Sequence, residues 1–337
     1  MVTVGIIGAG YWGKNIIRTV NAIDSVKIKY ISDCDNKTLE KFSAYTETIK
    51  TSDYLEILKD DEVNAVIIST PPVTHYKIAR NALFAHKHVM VEKPITIETN
   101  HARELVKIAG EENLKLMVGH LLLYHPCVNA MKKYIDDGEI GEIFYLYSKR
   151  LNLGKVRKDE NALLSFAPHD ISVALYLLGK NPDSVSAYGS SYLQKDVEDV
   201  VFLNMHFPGG KIAHIHVSWL DPHKVRHTTV VGSHKMMIFD DMEPREKIKI
   251  YDKGVKMSGE YGSYGEFLSL RDGNIFIPAV KMREPLKCEC EHFIECIEQG
   301  CSPRSDGRNG LIVTHVLEAA QRSLKSGGIP VEIDKLI

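Results

Sequence analysis

The chain opens with a short β-branched segment, Val2–Ile7, that runs directly into Gly8-Ala9-Gly10-Tyr11-Trp12-Gly13. The segment predicts a buried parallel strand, and the apolar spacing from Lys14 to Ile23 predicts a helix. In such a unit the first glycine permits a tight turn, the second admits a pyrophosphate and the third lets helix and strand pack closely. We therefore predict that this turn, with Tyr11 and Trp12, binds a dinucleotide at the helix N-terminus.

An acidic residue ends the next predicted strand, Val26–Asp33, twenty residues after Gly13. A carboxylate at this position accepts hydrogen bonds from the adenosine ribose hydroxyls and repels a 2′-phosphate. Cys34 follows it, and the turn contains no arginine that would bind such a phosphate. We therefore predict NAD rather than NADP as the cofactor. The alternative is a glycine-rich turn without a ligand.

Strands and helices continue to alternate up to about residue 120. Further strands are predicted at 64–69, 88–91 and 114–118, with a helix at 73–86, and right-handed crossovers between them give a doubly wound parallel sheet. Polar residues follow two of these strands, at the edge where such sheets bind ligands. The predicted cofactor residues here are Thr70, Pro71, His75, Glu92 and Lys93. For His75 a surface residue at the start of a helix is the alternative.

The pattern changes after Gly119. A helix at 126–137 is followed by stretches of alternating polarity, typical of an antiparallel sheet with one exposed face. A helix at about 166–178 interrupts them, and helices near 286–299 and 309–324 end the chain. The predicted fold is α/β: an N-terminal Rossmann domain (1–120) and a C-terminal α+β domain (121–337) with an open, mainly antiparallel sheet. The last helices of the chain are free to pack back on the first domain.

Composition narrows the class of protein. The 337 residues carry a formal net charge of −2, which gives no reason to expect nucleic acid or an anionic membrane as a partner. The sequence contains no long apolar run and begins directly with the first strand, so a cytoplasmic protein is expected. The six cysteines lack zinc-ligand spacing and are expected to be reduced thiols, with no metal site. Glu289 and Glu291 are expected on a solvated helix face.

These motifs together resemble the Gfo/Idh/MocA (glucose–fructose oxidoreductase/inositol dehydrogenase) family over essentially the whole chain. The resemblance rests on the glycine run, Thr70-Pro71-Pro72 with His75, Glu92-Lys93-Pro94, Gly138-x-Ile140-Gly141 and a histidine, His169, expected to open a helix. It implies an NAD(P)-binding domain and an open sheet that carries the substrate site. It also implies that Lys93 and His169 flank the reacting carbon as catalytic residues, and that the Lys93–Pro94 peptide is cis.

The chain departs from many relatives in two places: Ser165 stands where they have an acid, and Leu123 where they have an arginine. A polyol substrate is therefore less expected. The local sequence resembles instead the subgroup that oxidises nucleotide-activated amino sugars at C3′, such as UDP-N-acetylglucosamine or its uronic acid. Arg150, Lys155 and Arg157 place three positive charges within eight residues, and these could balance the negative charge of a sugar-nucleotide diphosphate. The alternative is a solvated basic loop. The predicted substrate-binding residues are Lys93, Arg150, Asn152, Lys155, Arg157, Ser165, His169 and Asp170.

The predicted activity is an NAD-dependent dehydrogenase acting on a CH–OH group, as a step toward 3-amino sugars in polysaccharide biosynthesis. An imidazole is able to take the hydroxyl proton at neutral pH, and a lysine ammonium can stabilise the developing alkoxide, so His169 and Lys93 both remain candidates for the general base. A structural helix-start role is the alternative for His169. A free sugar or cyclitol dehydrogenase and a non-catalytic dinucleotide-binding regulator are the alternative functions. One sheet face lacks covering helices, which predicts a homodimer or homotetramer.

Overall fold

The computed structural model describes residues 1–154, 157, 160–257 and 268–334. The chain forms two compact units. The first unit comprises Met1–His125 and Arg283–His315, and the second comprises Pro126–Met282 and Val316–Ile337. Residues 283–315, which follow the second sheet in sequence, thus belong to the first unit.

The strands and helices are numbered in chain order. The strands are β1 Val2–Ile7, β2 Val26–Ser32, β3 Ile49–Thr51, β4 Ala65–Ile68, β5 His88–Glu92, β6 Leu116–Gly119, β7 Ile143–Leu151, β8 Ser184–Ser190, β9 Val200–Phe207, β10 Lys211–Ser218, β11 Val225–Gly232, β12 Met236–Asp240, β13 Ile248–Met257, β14 Leu268–Phe276 and β15 Val331–Glu332. The helices are α1 Gly13–Asn21, α2 Asn36–Glu40, α3 Tyr54–Leu58, α4 Pro72–Phe84, α5 Thr99–Glu111, α6 Pro126–Asp136, α7 Ala162–Leu178, α8 Pro285–Gln299 and α9 Gly307–Lys325, with a 3-10 turn at Leu121–Tyr124.

The first unit is built on a parallel sheet in the order β3-β2-β1-β4-β5-β6, formed from the described strands. All four residues of β4 and of β6 are buried, as expected for strands covered by helices on both faces. The strand order reverses between β1 and β4, and ligands bind at the carboxyl ends of the strands at such a point. This confirms the predicted doubly wound sheet.

The second unit is built on a larger sheet, which within the described ranges runs β14-β13-β12-β11-β7-β10-β9-β8-β15. Neighbouring strands are antiparallel except for β7 and β10, which are parallel. Along β10 the side chains of Ala213, Ile215 and Val217 are buried, and the residues between them are partly exposed. The prediction of an open, mainly antiparallel sheet is confirmed. The alternating pattern did not indicate β13 and β14, which extend the sheet beyond β12.

The acidic residues of α8 differ from the prediction. Glu289 is fully buried, whereas Glu291 is partly exposed and pairs with Arg283 at 2.6 Å. The expected solvated face is therefore wrong for Glu289. The reason is helical spacing, because Glu289 shares the buried face of α8 with Leu286 and Phe293. Among the described residues, no helix is both long and apolar enough to cross a membrane.

Candidate active site

The glycine turn between β1 and α1 has the shape that a dinucleotide requires. Gly8 has φ of +95°, and a Cβ there would lie 2.7 Å from the Ser69 carbonyl carbon. A Cβ on Gly13 would lie 2.1 Å from the Gly8 carbonyl oxygen, so α1 packs against the turn with no room for a side chain. A Cβ on Gly10 would meet nothing within 4 Å, which leaves open space at the helix N-terminus. The turn therefore fits a pyrophosphate held by backbone N–H groups.

Asp33 lies directly against this turn. Its Oδ2 accepts a hydrogen bond from the Ala9 N–H at 2.8 Å, and its Oδ1 accepts one from the Asp35 N–H at 3.0 Å. Each carboxylate oxygen has further lone pairs, so the group retains the capacity to accept ribose hydroxyls. Cys34 beside it is exposed. The position of this carboxylate at the end of β2 is the one that the sequence predicts for ribose recognition.

Glu92 ties the cofactor turn to the end of β5. The Trp12 indole Nε1–H donates to its Oε1 at 2.5 Å, and the Lys93 backbone N–H lies 3.3 Å from its Oε2. The carboxyl group lies over Gly119 of β6, where a Cβ would come within 2.9 Å of Oε2. Burial raises the pKa of Glu92, and the hydrogen bond from Trp12 and the nearby Lys93 ammonium oppose this shift. Glu92 thus positions Trp12 and the peptide that leads into Lys93.

His75 joins the two loops that carry the predicted cofactor residues. It is fully buried in the first turn of α4, so a surface position is wrong. Its Nδ1 lies 2.8 Å from the Pro94 carbonyl oxygen and its Nε2 lies 2.8 Å from the Thr70 carbonyl oxygen. The ring thereby fixes the Thr70 loop to the cis Lys93–Pro94 peptide, and this cis geometry confirms the prediction. Pro71 precedes α4 as its N-cap, and Tyr11 is exposed beside Lys14.

Two more buried ionisable groups, His120 and Glu289, lie in the first unit near Lys93 and Glu92. The sequence analysis did not identify either of them as a buried group. His120 follows β6, and neither ring nitrogen has a hydrogen-bond partner among the described residues. Burial, assisted by the Lys93 charge, lowers the pKa of His120 to about 3. Glu289 has both carboxyl oxygens buried without a hydrogen-bond partner in the described ranges. Burial and the nearby Glu92 raise the pKa of Glu289 well above its usual range.

His169 lies inside α7 rather than at its start. The helix begins at Ala162, where the side chain of the N-cap Asn161 accepts a hydrogen bond from the Leu164 N–H at 3.1 Å. The expectation of a histidine that opens the helix is therefore wrong, and so is its alternative of a helix-start role. His169 is partly exposed, and the buried Ser165 lies one turn before it on the same helix face. Pro168 between them is inside the helix.

Asp170 and Arg150 form a buried ion pair in the second unit. The Arg150 Nε donates to Asp170 Oδ2 at 2.5 Å, and Nη2 donates to Oδ1 at 3.2 Å. The Ser148 hydroxyl donates to the same carboxylate at 2.5 Å. This charge pairing joins β7 to α7 next to His169. Asp170 therefore does not serve a helix start, and the Arg150 charge is largely balanced within the protein.

Of the other two predicted cations, the structure describes Arg157. The Arg157 guanidinium pairs with Glu160 at 2.8 Å. Lys155 lies outside the described residues. Asn152 is partly exposed just after β7, and its backbone N–H donates to the Ser218 carbonyl at 3.1 Å. The roles of these residues in binding a substrate stay predictions.

Arg226 is a cation that the sequence did not single out. It lies on β11 directly across from Arg150 of β7. Its guanidinium carbon lies 5.3 Å from the centre of the Phe166 ring, one helical turn before His169. Burial and the neighbouring Arg150 lower the pKa of Arg226 to about 10. The pairing of β7 with β11, which joins residues far apart in sequence, is what brings the two arginines together.

Two family profiles match this chain. A profile described as an oxidoreductase family with an NAD-binding Rossmann fold, GFO_IDH_MocA, matches residues 2–120. The profile of the GFO/IDH/MocA C-terminal domain matches residues 128–238. Together the two profiles cover more than half of the sequence and both of the units.

Several characterised proteins are similar to the chain. A 2,7-anhydro-N-acetylneuraminate hydratase of Escherichia coli (strain K12) is 28% identical over 227 residues, which span 63% of this chain and 60% of the relative. The chain thus matches less than two thirds of that protein. An inositol 2-dehydrogenase of Rhizobium meliloti (strain 1021) is 25% identical over 342 residues, spanning 96% of this chain and 97% of the relative.

A third relative has a solved structure. The UDP-N-acetylglucosamine 3-dehydrogenase of Acidithiobacillus ferrooxidans is 28% identical over 237 residues, which span 70% of this chain and 71% of the relative. Its structure superposes with a TM-score of 0.82 at 24% identity and covers 96% of this chain and 98% of that chain. The two proteins therefore share one fold.

Proposed function

This chain belongs to the GFO/IDH/MocA family of NAD-binding oxidoreductases, and from this premise we propose that it oxidises a secondary alcohol of a nucleotide-linked N-acetylhexosamine. The proposed position is C3′ of UDP-N-acetylglucosamine or of its uronic acid. The product would be a 3-oxo sugar, the kind of ketone that transamination converts to a 3-amino sugar. The proposed assembly is a homodimer or homotetramer.

The observation that carries the choice of substrate is the charge around α7. Asp170 is the one acid in the sequence of α7, and Arg150 and Ser148 already occupy it. Ser165 contributes a hydroxyl, so the helix that carries His169 offers no free carboxylate for the hydroxyl groups of a neutral polyol. Arg226 adds a further positive charge beside the same helix. This balance favours a substrate that brings a negative charge.

Two of the relatives support the same class of substrate by their names. One acts on a UDP-linked N-acetylated sugar, and the other on an N-acetylated sugar acid. Both kinds of molecule combine an acetamido sugar with an oxoanion. The inositol dehydrogenase relative, which matches nearly the whole chain, supports a neutral cyclitol as the second candidate.

The chain's own residues supply the binding and the proton transfer. Gly8, Gly10 and Gly13 form the pyrophosphate turn, and Asp33 receives the ribose hydroxyls. NAD held at this turn would supply the acceptor for the hydride of the alcohol carbon. Glu92 and His75 hold the strand end and the loop from which Lys93 extends.

Lys93 and His169 are proposed to act on the alcohol oxygen. The Lys93 ammonium stabilises negative charge as it develops on that oxygen. The His169 imidazole is proposed to accept the hydroxyl proton, because histidine is the side chain that most often serves as a general base. The assignment of general base between the two stays open, and the kinetics of the two variants address it.

The test is oxidation of a substrate panel by the purified chain with NAD. The panel contains UDP-N-acetylglucosamine, its uronic acid, dTDP-sugars, myo-inositol, scyllo-inositol and free N-acetylglucosamine, and reduced nicotinamide is followed by absorbance. A 2-oxo acid is added in a parallel series to reoxidise a retained cofactor. Turnover with a nucleotide sugar and none with cyclitols is expected. Faster turnover with an inositol than with every nucleotide sugar would establish the second candidate instead.

A further inference from the structure

The second unit contains an imbalance of charge beside the helix that carries His169. Arg226 and Arg150 are direct cross-strand neighbours on β11 and β7, so their side chains leave the sheet on the same face. That face is the one covered by α7, because Arg150 pairs with Asp170 there. Two guanidinium groups thus share the vicinity of one carboxylate. The carboxylate is bound bidentately by Arg150, so Asp170 and the nearby Asp241 act on Arg226 only at longer range and form no ion pair with it among the described residues.

The contacts of Arg226 are weak for a guanidinium. Its Nη1 lies 3.2 Å from the Val225 carbonyl oxygen and 3.4 Å from the Leu151 carbonyl oxygen. In the described part of the chain it makes no ion pair within 4.0 Å, although its side chain is only partly exposed. A half-buried cation normally has a carboxylate partner, because the desolvation of its charge is otherwise uncompensated. The remaining N–H donors of Arg226 are available to a ligand.

The Phe166 ring holds the guanidinium in place. The guanidinium carbon lies 5.3 Å from the ring centre, within the range of a cation–π contact. Phe166 and His169 are three residues apart on α7 and therefore lie on neighbouring parts of one helix face. Arg226 is thus held beside the helix turn that presents His169, with its planar donor group partly exposed.

We infer that Arg226 is a binding site for an oxoanion of the substrate, and that it determines the specificity of this enzyme for anionic over neutral sugars. Carboxylates and phosphates both accept two parallel N–H bonds from a guanidinium, so both chemistries fit. In the proposed substrates the oxoanion is either the carboxylate of a uronic acid or the diphosphate. The inference rests on the proposed function only for the statement that a sugar carries this oxoanion.

Binding of small probes to the full chain loaded with NADH tests this inference, with calorimetry as the readout. One pair of probes, D-glucuronate and D-glucose, isolates a sugar carboxylate. The other pair, UDP and uridine, isolates a diphosphate. The variants are Arg226→Gln and the conservative Arg226→Lys. Arg245→Gln is the matched control, because it removes an exposed guanidinium from the turn between β12 and β13 of the same unit.

We expect the wild type to bind the anionic member of at least one pair more tightly than the neutral member. Arg226→Gln should weaken that anionic probe by roughly 10- to 100-fold, as for loss of hydrogen bonds to a charged group. It should leave the neutral probe unchanged, Arg226→Lys should recover part of the loss, and Arg245→Gln should match the wild type. The pair that responds identifies the oxoanion as carboxylate or diphosphate.

Two results would overturn the inference: a wild type that prefers neither anionic probe, or an Arg226→Gln variant that keeps the preference. NADH affinity and the melting temperature of Arg226→Gln establish that the variant is folded. Failure of the proposed function has a different signature. In that case no nucleotide sugar is oxidised, while binding of the responding anionic probe still depends on Arg226.

Discussion

The buried carboxyl group of Glu289 predicts that the stability of the first unit depends on pH. The side chain is fully buried on α8, and its oxygens have no hydrogen-bond partner among the described residues. Burial raises its pKa, and Glu92 acts in the same direction. Glu289→Gln replaces the neutral acid by a neutral amide of nearly the same shape. The substitution therefore removes the ionisation and keeps the packing.

The magnitude follows from the linkage between proton binding and folding. The unfolded chain releases the Glu289 proton near pH 4.5, whereas the folded chain retains it up to its raised pKa. The stabilising contribution of the protonated form is thus fully present below about pH 4.5 and is lost as the pH rises to the folded pKa. The loss is about 1.4 kcal/mol for each pH unit. Each pH unit in that interval therefore lowers the melting temperature of the wild type relative to the variant by about 3–6 °C.

Thermal unfolding of the wild type and Glu289→Gln at a series of pH values measures this effect. At pH about 4.5 the two proteins should melt at similar temperatures, and the variant should gain stability over the wild type as the pH rises above that value. Glu295→Gln is the control, because Glu295 is exposed on the same helix and carries the same substitution. Its difference from the wild type should stay near zero throughout.

A difference between Glu289→Gln and the wild type that does not change with pH would refute the reasoning. It would mean that Glu289 has the same pKa in the folded and unfolded chain. A variant that becomes less stable than the wild type as the pH rises would mean that the folded protein stabilises the ionised carboxylate.

Three further predictions concern cofactor, catalysis and assembly. Asp33→Ala combined with Cys34→Arg should shift preference from NAD toward NADP, because it removes a repulsive charge and adds a phosphate partner; equal preferences in both proteins contradict it. Lys93→Ala and His169→Ala should each lower kcat at least about 100-fold with unchanged NAD affinity, and the double variant should lose much less than the product of the two; near-normal turnover of His169→Ala would leave Lys93 as the candidate base. Phe202 lies on the partly exposed face of the sheet, where its ring stacks on that of His216 with 4.3 Å between the ring centres. Phe202→Glu should lower the mass measured by light scattering toward 37.9 kDa. A wild type that already has that mass would contradict the predicted oligomer.

The parallel sheet could be predicted because its strands are local signals. Buried strands such as β4 are short apolar runs, and each is followed by a helix that starts within a few residues. The long strands β13 and β14 were not predicted, since glycine and charged residues interrupt their alternation. They pair through backbone hydrogen bonds, which need no apolar pattern. The three-residue strand β3 was too short to locate.

The start of α7 was misplaced for a physical reason. The family resemblance implies that His169 opens a helix, and proline, which precedes it here, is favoured in the first turn of a helix. The structure instead uses Asn161 as the N-cap and keeps Pro168 inside the helix. An internal proline costs a hydrogen bond, typically about 3 kcal/mol. The near-complete burial of α7 under the sheet of its own unit compensates for this cost, and sequence alone gave no measure of that burial.

Two ionisable groups that were not predicted, Glu289 and Arg226, differ in whether the sequence contained a signal for their positions. Glu289 falls on the apolar stripe of α8 with Leu286 and Phe293, so helical spacing by itself contained the signal for a buried acid. Arg226 had no such signal, because its position beside Arg150 depends on the register between β7 and β11, about 75 residues apart. A shift of one residue would turn its side chain to the opposite face of the sheet. The position of Arg226 beside Arg150 is therefore set by strand register, which no local pattern along the chain reveals.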